Sequence, residues 1–385
     1  MRLFTIAITG LYPFDENGPA LALYAMLNGI LQVSRLTSDE ITMELLVGIS
    51  DPKCLNLNWH PLLNVPMVPV LRNLKSIDGF ETTINVCSKF INKIKNVDVI
   101  FYNSPPTGVI TFTYPYITRL ARKKQIYYLH GSLVNENVDS TARKYFHLIA
   151  RLGFLDKVII PLKSFRNLVS KLVCPYEIIA TIPECVITPW YEDSHKIPLE
   201  GDPVILYAGR FAQVKRVDIL LKAFSTITSQ YPSARLYLAG SGPLELSLRK
   251  LCTKLRLSGK VVFLGHVQHS KLRSFYCSSD MFVIPSDAEF MSFSLLEAMA
   301  SKCAVVASDI AATEVVENGE NGLVFPRSDF KTLANNISIL ADDKTFRKKL
   351  SDAAYLTVKE KFDHRVVASK LIEEMRNILI QSVNS

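Results

Sequence analysis

Residues 203–240 read PVILYAGRFAQVKRVDILLKAFSTITSQYPSARLYLAG and contain one full period of the pattern that predicts the fold. The segments 203–209 and 234–240 are short apolar runs rich in β-branched and aromatic residues, which is typical of strands. Between them, residues 214–230 have the length and apolar spacing of an amphipathic helix. A strand, a helix and a strand in this order predict a unit with two parallel strands.

The same alternation recurs on both sides of this unit. Further strands are predicted at 3–9, 43–50, 97–103, 125–131, 157–161, 260–265, 281–286, 303–309 and 322–326. Further helices are predicted at 242–257, 293–302, 311–317, 329–339 and 362–381. The alternation predicts an α/β fold whose parallel, doubly wound sheets carry helices on both faces.

One break in this alternation divides the chain. Its 385 residues exceed what one hydrophobic core usually serves, so two domains are expected. Before residue 203, three prolines and several charges interrupt the periodicity. We therefore predict an N-terminal domain over 1–185, a linker over 186–202, a C-terminal domain over 203–361 and a final helical segment over 362–385.

The composition is that of an ordinary globular protein, with 48% hydrophobic and 21% charged residues. Seven scattered cysteines without a Cys-x-x-Cys pair argue against a zinc site or a disulfide framework. The N-terminus predicts a first strand rather than a signal peptide, and no apolar run has the length of a membrane span. We therefore expect a cytoplasmic protein.

Positive charge is concentrated in residues 119–171. This segment holds eleven basic residues against three acidic ones, which accounts for the whole net charge of +8. The basic residues are Arg119, Arg122, Lys123, Lys124, Arg143, Lys144, Arg151, Lys157, Lys163, Arg166 and Lys171. Such a patch suits anionic lipid, nucleic acid or a phosphorylated acceptor, and a solvated face on two helices explains it equally well.

Loops that follow the strands of the second half carry the candidate ligand-binding residues, because ligands bind beyond the carboxyl ends of parallel strands. Arg210 and Lys215 follow one strand and together suit a diphosphate, although such a pair alone is more typical of a surface loop. Gly240 permits a tight turn after the next strand. His266 and His269 have metal-like spacing, but without a nearby Cys or carboxylate we interpret them as solvated loop residues.

The stretch DAEFMSFSLLEAMA, residues 287–300, places Glu289 on a loop and Glu297 within the apolar run of the following helix. An unpaired carboxylate would be costly to bury there, so either the helix end is solvated or a bound ligand supplies the partner. Backbone N–H groups near 291–294 suit a phosphate, and the two carboxylates suit hydroxyls on either side of it. A nucleoside diphosphate sugar has this order of groups.

These strings closely resemble the family 4 retaining glycosyltransferases, or glycosyl transferases group 1. The matches are EFMSFSLLE, which is the family's E-x7-E element, AGRFAQVKRVDILLKAF, LYLAGSGP, VVFLGHV and VVENGENGLVFP, and they cover residues 203–330 in order and spacing. Gly18 in ENGPA resembles the family's N-terminal glycine loop, and His130 in YYLHG resembles its active-site histidine. The resemblance implies the GT-B fold, with two Rossmann-like domains facing across a cleft and the C-terminal helix crossing back to the first domain.

The resemblance also implies the reaction. A hexosyl group would pass, with retention and without a metal or other cofactor, from a UDP- or GDP-sugar to a glycan or lipid-linked acceptor. Arg210 and Lys215 would hold the diphosphate, Glu297 the ribose and Glu289 the transferred sugar. The backbone near His266 and Val267 would contact the nucleobase, and Gly18 would approach the diphosphate. His130 would face the reacting sugar. Phosphate or sugar would also be contacted by the backbone of Met291, Ser292, Phe293 and Ser294.

The sequence departs from the family's pattern at two places. Phe290 and Ser292 replace small residues of the E-x7-E element, which should tighten the donor-sugar pocket. The usual Pro-Asn-Gly-Val before the second domain reads PECV, so Glu184 and Cys185 stand in place of Asn-Gly and alter the hinge.

Other functions stay open at this level. The matches to the G-R-x4-K and E-x7-E loops disfavour a nucleotide-sugar 2-epimerase of the same fold, which would need further acids and bases near the sugar. A non-catalytic homologue would tend to lose at least one of the charged residues Arg210, Lys215, Glu289 and Glu297, which are all retained. An NAD-dependent dehydrogenase is disfavoured because no complete G-x-G-x-x-G follows any strand. The basic segment lies in the predicted acceptor domain, so we expect a lipid-linked or membrane-associated acceptor and peripheral contact with an anionic membrane. No nucleic-acid recognition motif is present in the sequence.

Overall fold

The computed structural model describes most of the chain. The described residues are 1–7, 18–37, 41–49, 59–60, 65–71, 91–92, 94–103, 109–130, 140–192 and 194–380. They belong to two compact units, of which one is Met1–Glu184 with His364–Ser385 and the other is Cys185–Asp363. Each unit has its own sheet of mainly parallel strands, as the alternation of strands and helices predicts.

Helices and strands alternate through both units. Within the described ranges the strands are β1 (Arg2–Ala7), β2 (Thr42–Ile49), β3 (Trp59–His60), β4 (Val65–Leu71), β5 (Val99–Tyr102), β6 (Lys124–Tyr128), β7 (Lys157–Ile160), β8 (Ile179–Thr181), β9 (Val204–Ala208), β10 (Arg235–Ala239), β11 (Val261–Gly265), β12 (Met281–Ile284), β13 (Ala304–Ser308) and β14 (Leu323–Phe325). The helices are α1 (Gly18–Thr37), α2 (Val109–Leu120), α3 (Ser140–Arg151), α4 (Arg166–Leu172), α5 (Pro189–Glu192), α6 (Val217–Ile227), α7 (Glu245–Lys254), α8 (His269–Ser278), α9 (Phe293–Ala300), α10 (Asp309–Ala312), α11 (Phe330–Asp342), α12 (Lys344–Lys361) and α13 (His364–Ile380).

The sheet of the first unit has the strand order β3-β4-β2-β1-β5-β6-β7-β8. Among its described strands, all neighbours are parallel except β3 and β4. The C-terminal helix α13 belongs to this unit and packs against α1. A β-carbon at Gly29 of α1 would lie 2.2 Å from the carbonyl oxygen of His364, so only glycine permits this approach.

The sheet of the second unit has the strand order β11-β10-β9-β12-β13-β14, and its strands are all parallel. Alternate residues of β9 enter different hydrophobic cores, because successive side chains of a strand point to opposite faces. Ile205 and Tyr207 lie in one core, and Leu206 and Ala208 lie in the other. Burial on both faces explains why this strand is apolar throughout.

The strand order of the second unit also locates a crevice. Successive strands are added in one direction from β9 to β11 and in the other direction from β12 to β14. The connections that leave β9 and β12 therefore run in opposite directions, which opens a crevice between the two loops. In doubly wound sheets, ligands bind in this crevice. Arg210, Lys215 and Glu289 lie on these two loops.

Residues 185–202 belong to the second unit and are tied to its end. The backbone N–H of Val186 donates to the carbonyl of Phe362 at 3.0 Å, and the hydroxyl of Thr188 donates to the carboxylate of Asp363.

Within the described ranges, no helix is both long and apolar enough to cross a membrane.

Candidate active site

The loops after β9 and β12 are held together by ion pairs. The ammonium of Lys215 donates to Oε1 of Glu289 at 2.5 Å, and the hydroxyl of Ser286 donates to the same oxygen at 2.8 Å. A backbone bond of 2.8 Å from Asp287 to the carbonyl of Val214 joins the loops a second time. The structure therefore brings together two residues that are 74 positions apart in the sequence.

Arg216, next to Lys215, reinforces the same connection. Its guanidinium donates to Asp287 at 2.5 Å, to Asp218 at 3.1 Å and to the hydroxyl of Ser328 at 2.6 Å. Hydrogen bonds to Asp218 and Asp287 raise the pKa of Arg216. Burial acts to raise the pKa of Asp218, but the hydrogen bonds and positive charge of Arg216, together with Lys222, outweigh it and lower that pKa. Both charges persist at neutral pH and fix the backbone that carries Lys215.

Arg210 is exposed on the loop after β9. The hydroxyl of the buried Tyr207 donates to the carbonyl of Arg210 at 3.2 Å. Burial, and then the negative charge of Glu289, raise the pKa of Tyr207, so this hydroxyl stays a donor at all ordinary pH values. The carbonyl of Arg210 is held by this bond, while the residue itself is exposed.

Gly240 has a structural reason to be glycine. Its φ is +141°, and a β-carbon there would lie 1.9 Å from the carbonyl oxygen of Gly209. The two loops also exchange backbone bonds, from Gly209 to Ala239 and from Phe211 to Ser241, each 2.9 Å long. Close approach of two backbones is therefore sufficient to explain this glycine, and its contact with a ligand stays a prediction.

The entry of α9 is capped by its own sequence. Ser292 is the N-cap, and its hydroxyl accepts from the backbone N–H of Leu295 at 3.3 Å and bonds to the hydroxyl of Ser294 at 3.1 Å. Met291 and Phe293 are partly buried against the hydrophobic core of the second unit. The cap leaves other first-turn N–H groups available to an anion.

The loop after β11 carries the residues predicted near the nucleobase. His266 is exposed there, as a solvated loop residue would be. Val267 is partly buried and packs against the core of the second unit.

Glu297 differs from its prediction. Its side chain lies in α9 at 3% relative exposure and is surrounded by protein donors. Oε1 accepts from the hydroxyl of Tyr191 at 2.7 Å and from Nε2 of His269 at 2.5 Å, while Oε2 accepts from the hydroxyl of Tyr276 at 3.0 Å. The expectation that solvent or a ligand supplies the partner was wrong, because three side chains from α5 and α8 supply it.

His269 was also predicted wrongly, as a solvated loop residue. It is the first residue of α8, is 8% exposed and bonds to a carboxylate. Burial, and then the negative charge of Glu297, raise the pKa of both Tyr191 and Tyr276, so both hydroxyls remain donors. The sequence contains one indication that His269 and Tyr276 lie close together. They are seven residues apart, which places them on the same face of a helix.

In the first unit, His130 lies two residues after the end of β6, and α1 begins at Gly18. The residues before Gly18, which complete the predicted glycine loop, lie outside the described residues. Nδ1 of His130 lies 2.7 Å from Oε1 of Glu184, and Nε2 lies 2.8 Å from Oδ1 of Asn103. Neither partner was predicted. Among the described side chains, no group of three or more His, Cys, Asp or Glu could hold a metal ion.

Comparisons with known proteins agree with this architecture. Residues 192–357 match the family model of glycosyl transferases group 1. An uncharacterised glycosyltransferase of Methanocaldococcus jannaschii is 32% identical over 45% of this chain and 44% of its own length. The alpha-D-kanosaminyltransferase of Streptomyces kanamyceticus is 28% identical over 40% of this chain and 41% of its own length. The matches thus span less than half the length of both curated relatives.

A solved structure is similar over nearly the whole chain. The crystal structure of Anabaena HepE in complex with UDP has a TM-score of 0.76 at 18% identity, covering 98% of this chain and 99% of that one. This likeness shows the fold, which is GT-B. The predicted resemblance is confirmed, because residues 192–357 of this chain match the model of the glycosyl transferases group 1.

Proposed function

We propose that this protein is a retaining glycosyltransferase, which transfers a hexosyl group from a UDP- or GDP-sugar to a glycan or lipid-linked acceptor without a metal. The observation that carries the proposal is the contact between Lys215 and Glu289 at the crevice of the second sheet. A cation for the diphosphate and a carboxylate for the adjoining sugar are adjacent there. The HepE structures with UDP and with UDP-glucose support a nucleotide-sugar donor.

The contact between these two residues leaves both able to bind a ligand. An ammonium has three N–H donors, so Lys215 can keep one bond to Glu289 and direct others to phosphate oxygens. Oε2 of Glu289 accepts no hydrogen bond from the residues that the structure describes, and we assign it to a sugar hydroxyl. Each oxygen of a carboxylate can accept two bonds. The ribose contact assigned to Glu297 would therefore be a second bond to Oε2 beside that of Tyr276, and it requires a ligand hydroxyl to reach a side chain that is 3% exposed.

Charge development explains the catalysis. As the glycosyl–phosphate bond breaks, negative charge grows on the leaving diphosphate, where Arg210, Lys215 and the entry of α9 stabilise it. Only stabilisation that is greater in the transition state than in the ground state accelerates the step. The acceptor oxygen then attacks the anomeric carbon on the face from which the diphosphate departs, and the diphosphate takes the acceptor proton. This front-side displacement retains the configuration.

Donor binding tests the proposal directly. We expect one nucleotide sugar from a UDP and GDP panel to raise the melting temperature by several degrees with EDTA present, since a ligand at about 100 times its Kd adds about 2.7 kcal/mol. Arg210→Gln should lose most of this shift. Lys344→Gln is the control, because Lys344 is an exposed cation of the same unit. Proton NMR of the product should show the anomeric configuration of the donor.

Two results would contradict the proposal. If no donor shifts the melting temperature and none is hydrolysed, the non-catalytic homologue becomes the better interpretation. If the sugar is released with a changed configuration at C2, the protein is an epimerase of the same fold.

We further propose that the acceptor domain contacts an anionic membrane through the basic segment 119–171. The end of α2 lies beside the turn that follows α3, because the ring centroids of Tyr116 and Phe154 are 5.4 Å apart. Large apolar side chains stand exposed there among the basic ones, namely Tyr116, Leu120, Leu148 and Leu152. Apolar side chains within a cationic surface are the combination that binds anionic lipid.

Vesicle co-sedimentation tests the membrane contact. We expect binding to phosphatidylglycerol vesicles and little to phosphatidylcholine. Leu120→Ser with Leu152→Ser should weaken binding at least about tenfold, since a buried leucine side chain is worth about 1.5–3 kcal/mol. Leu246→Ser, at an exposed leucine of the second unit, is the control. Equal binding to both lipids, or to neither, would count against the proposal.

A further inference from the structure

Three polar residues of the first unit meet at the carboxyl edge of its sheet. Asn103 follows β5, His130 follows β6, and Glu184 follows β8. The strands β5 to β8 pair in parallel, so their carboxyl ends lie at one edge, where ligands bind in such sheets. The imidazole of His130 stands between the other two side chains.

The contacts restrain the imidazole strongly. A carboxylate can only accept hydrogen bonds, so the 2.7 Å contact with Glu184 requires a proton on Nδ1 of His130. Oδ1 of Asn103 lies 2.8 Å from Nε2 and also only accepts, so this contact requires a proton on Nε2 or a rotated Asn103 amide that donates through its NH2 group. The ring of Tyr128 packs 4.6 Å from the imidazole, centroid to centroid. Only 10% of the His130 side chain and 8% of the Glu184 side chain are exposed, so water competes little for these bonds.

We propose that Glu184 is a positioning residue for His130, which fixes the proton on Nδ1 and the orientation of the ring. The inference rests on the proposed function, in which His130 faces the transferred sugar. Glu184 stands at a place where the chain departs from the pattern of its family, so this arrangement is a property of this sequence. The hydrogen bond to an oriented carboxylate is a general means of setting a histidine's tautomer.

Kinetics provide the first test. We expect Glu184→Gln, which preserves shape and removes charge, to lower kcat for donor turnover by about 10- to 100-fold, by analogy with metal-binding histidines that lose their carboxylate partner. The KM for the donor should change less than about twofold, because the donor's binding groups are intact. In a His130→Gln background the same change should have no further effect. Glu177→Gln, at an exposed carboxylate of the same unit, should behave as the wild type.

The nitrogen signals of the ring provide a test that does not depend on turnover. In protein with ¹⁵N-labelled histidine, the signal that His130→Gln removes should show a protonated Nδ1. Glu184→Gln should shift this signal, because an amide can donate as well as accept. An unchanged signal together with an unchanged kcat would overturn the inference. If the wild type turns over no donor, the proposed function fails, and the nitrogen signals alone decide whether Glu184 fixes the ring.

Discussion

Lys215→Ala is expected to lower kcat/KM for the nucleotide sugar by about 100- to 1,000-fold, by analogy with the loss of one oxyanion-hole donor. Under the proposed function, Lys215 meets the charge that develops on the leaving diphosphate, and its contribution is largest in the transition state. Lys215→Arg should retain part of the activity, because the charge persists with a different geometry. Initial rates measured at saturating and at limiting donor concentrations separate the effect on kcat from the effect on KM.

Two controls separate chemistry from folding in this prediction. Lys222→Ala removes a nearby cation that is 41% exposed and bridges Asp218, and it should leave activity unchanged. Removing Lys215 also leaves Glu289 with an unpaired charge at 10% exposure. The double variant Lys215→Ala, Glu289→Gln removes that charge. The melting temperature of this double variant is the folding control, because Glu289 is itself assigned to the transferred sugar. An unchanged kcat/KM in Lys215→Ala would contradict a direct role for Lys215 at the diphosphate.

Glu297→Ala is expected to destabilise the second unit by about 3–5 kcal/mol. The substitution leaves the donors of Tyr191, His269 and Tyr276 without their acceptor in a buried site. Tyr276→Phe removes one donor only and should cost about 1 kcal/mol. Denaturant unfolding measures both, and Trp190 reports on this unit because its ring lies 6.0 Å from that of His269, centroid to centroid.

A surface carboxylate provides the matched control for Glu297. Glu245 pairs with Arg249 at 2.9 Å on the exposed face of α7, and Glu245→Ala should cost at most about 0.5 kcal/mol. Replacement of Trp59 by Phe isolates the signal of Trp190, since the chain has two tryptophans. An unchanged unfolding midpoint for Glu297→Ala would show that the three donors find other acceptors.

Much of the fold could be predicted from the sequence, because the buried strands are continuous apolar runs. The exceptions have physical reasons. The strand β4 contains Pro66 and Pro69, which lack backbone donors and ordinarily argue against a strand inside a sheet. The strand β8 has three residues, which is too short for a periodic pattern.

The candidate site was predicted unevenly. Lys215 and Glu289 lie on loops after strands that are neighbours in the sheet, and strand order alone brings these loops together. The partners of Glu297 could not be predicted in this way. Tyr191 is 106 positions from Glu297, and His269 is 28 positions from it, on a helix whose orientation no local pattern specifies.

The sequence by itself therefore determined the parallel sheets, the loops that carry the charged residues and the resemblance to glycosyl transferases group 1. These depend on local periodicity and on short strings, which are properties of neighbouring residues. Only the tertiary structure decided which side chains form hydrogen bonds with one another. The bonds of Glu297 to His269 and of His130 to Glu184 depend on angles and on distances of about 3 Å between elements far apart in the chain, and hydrogen bonding is sensitive to both.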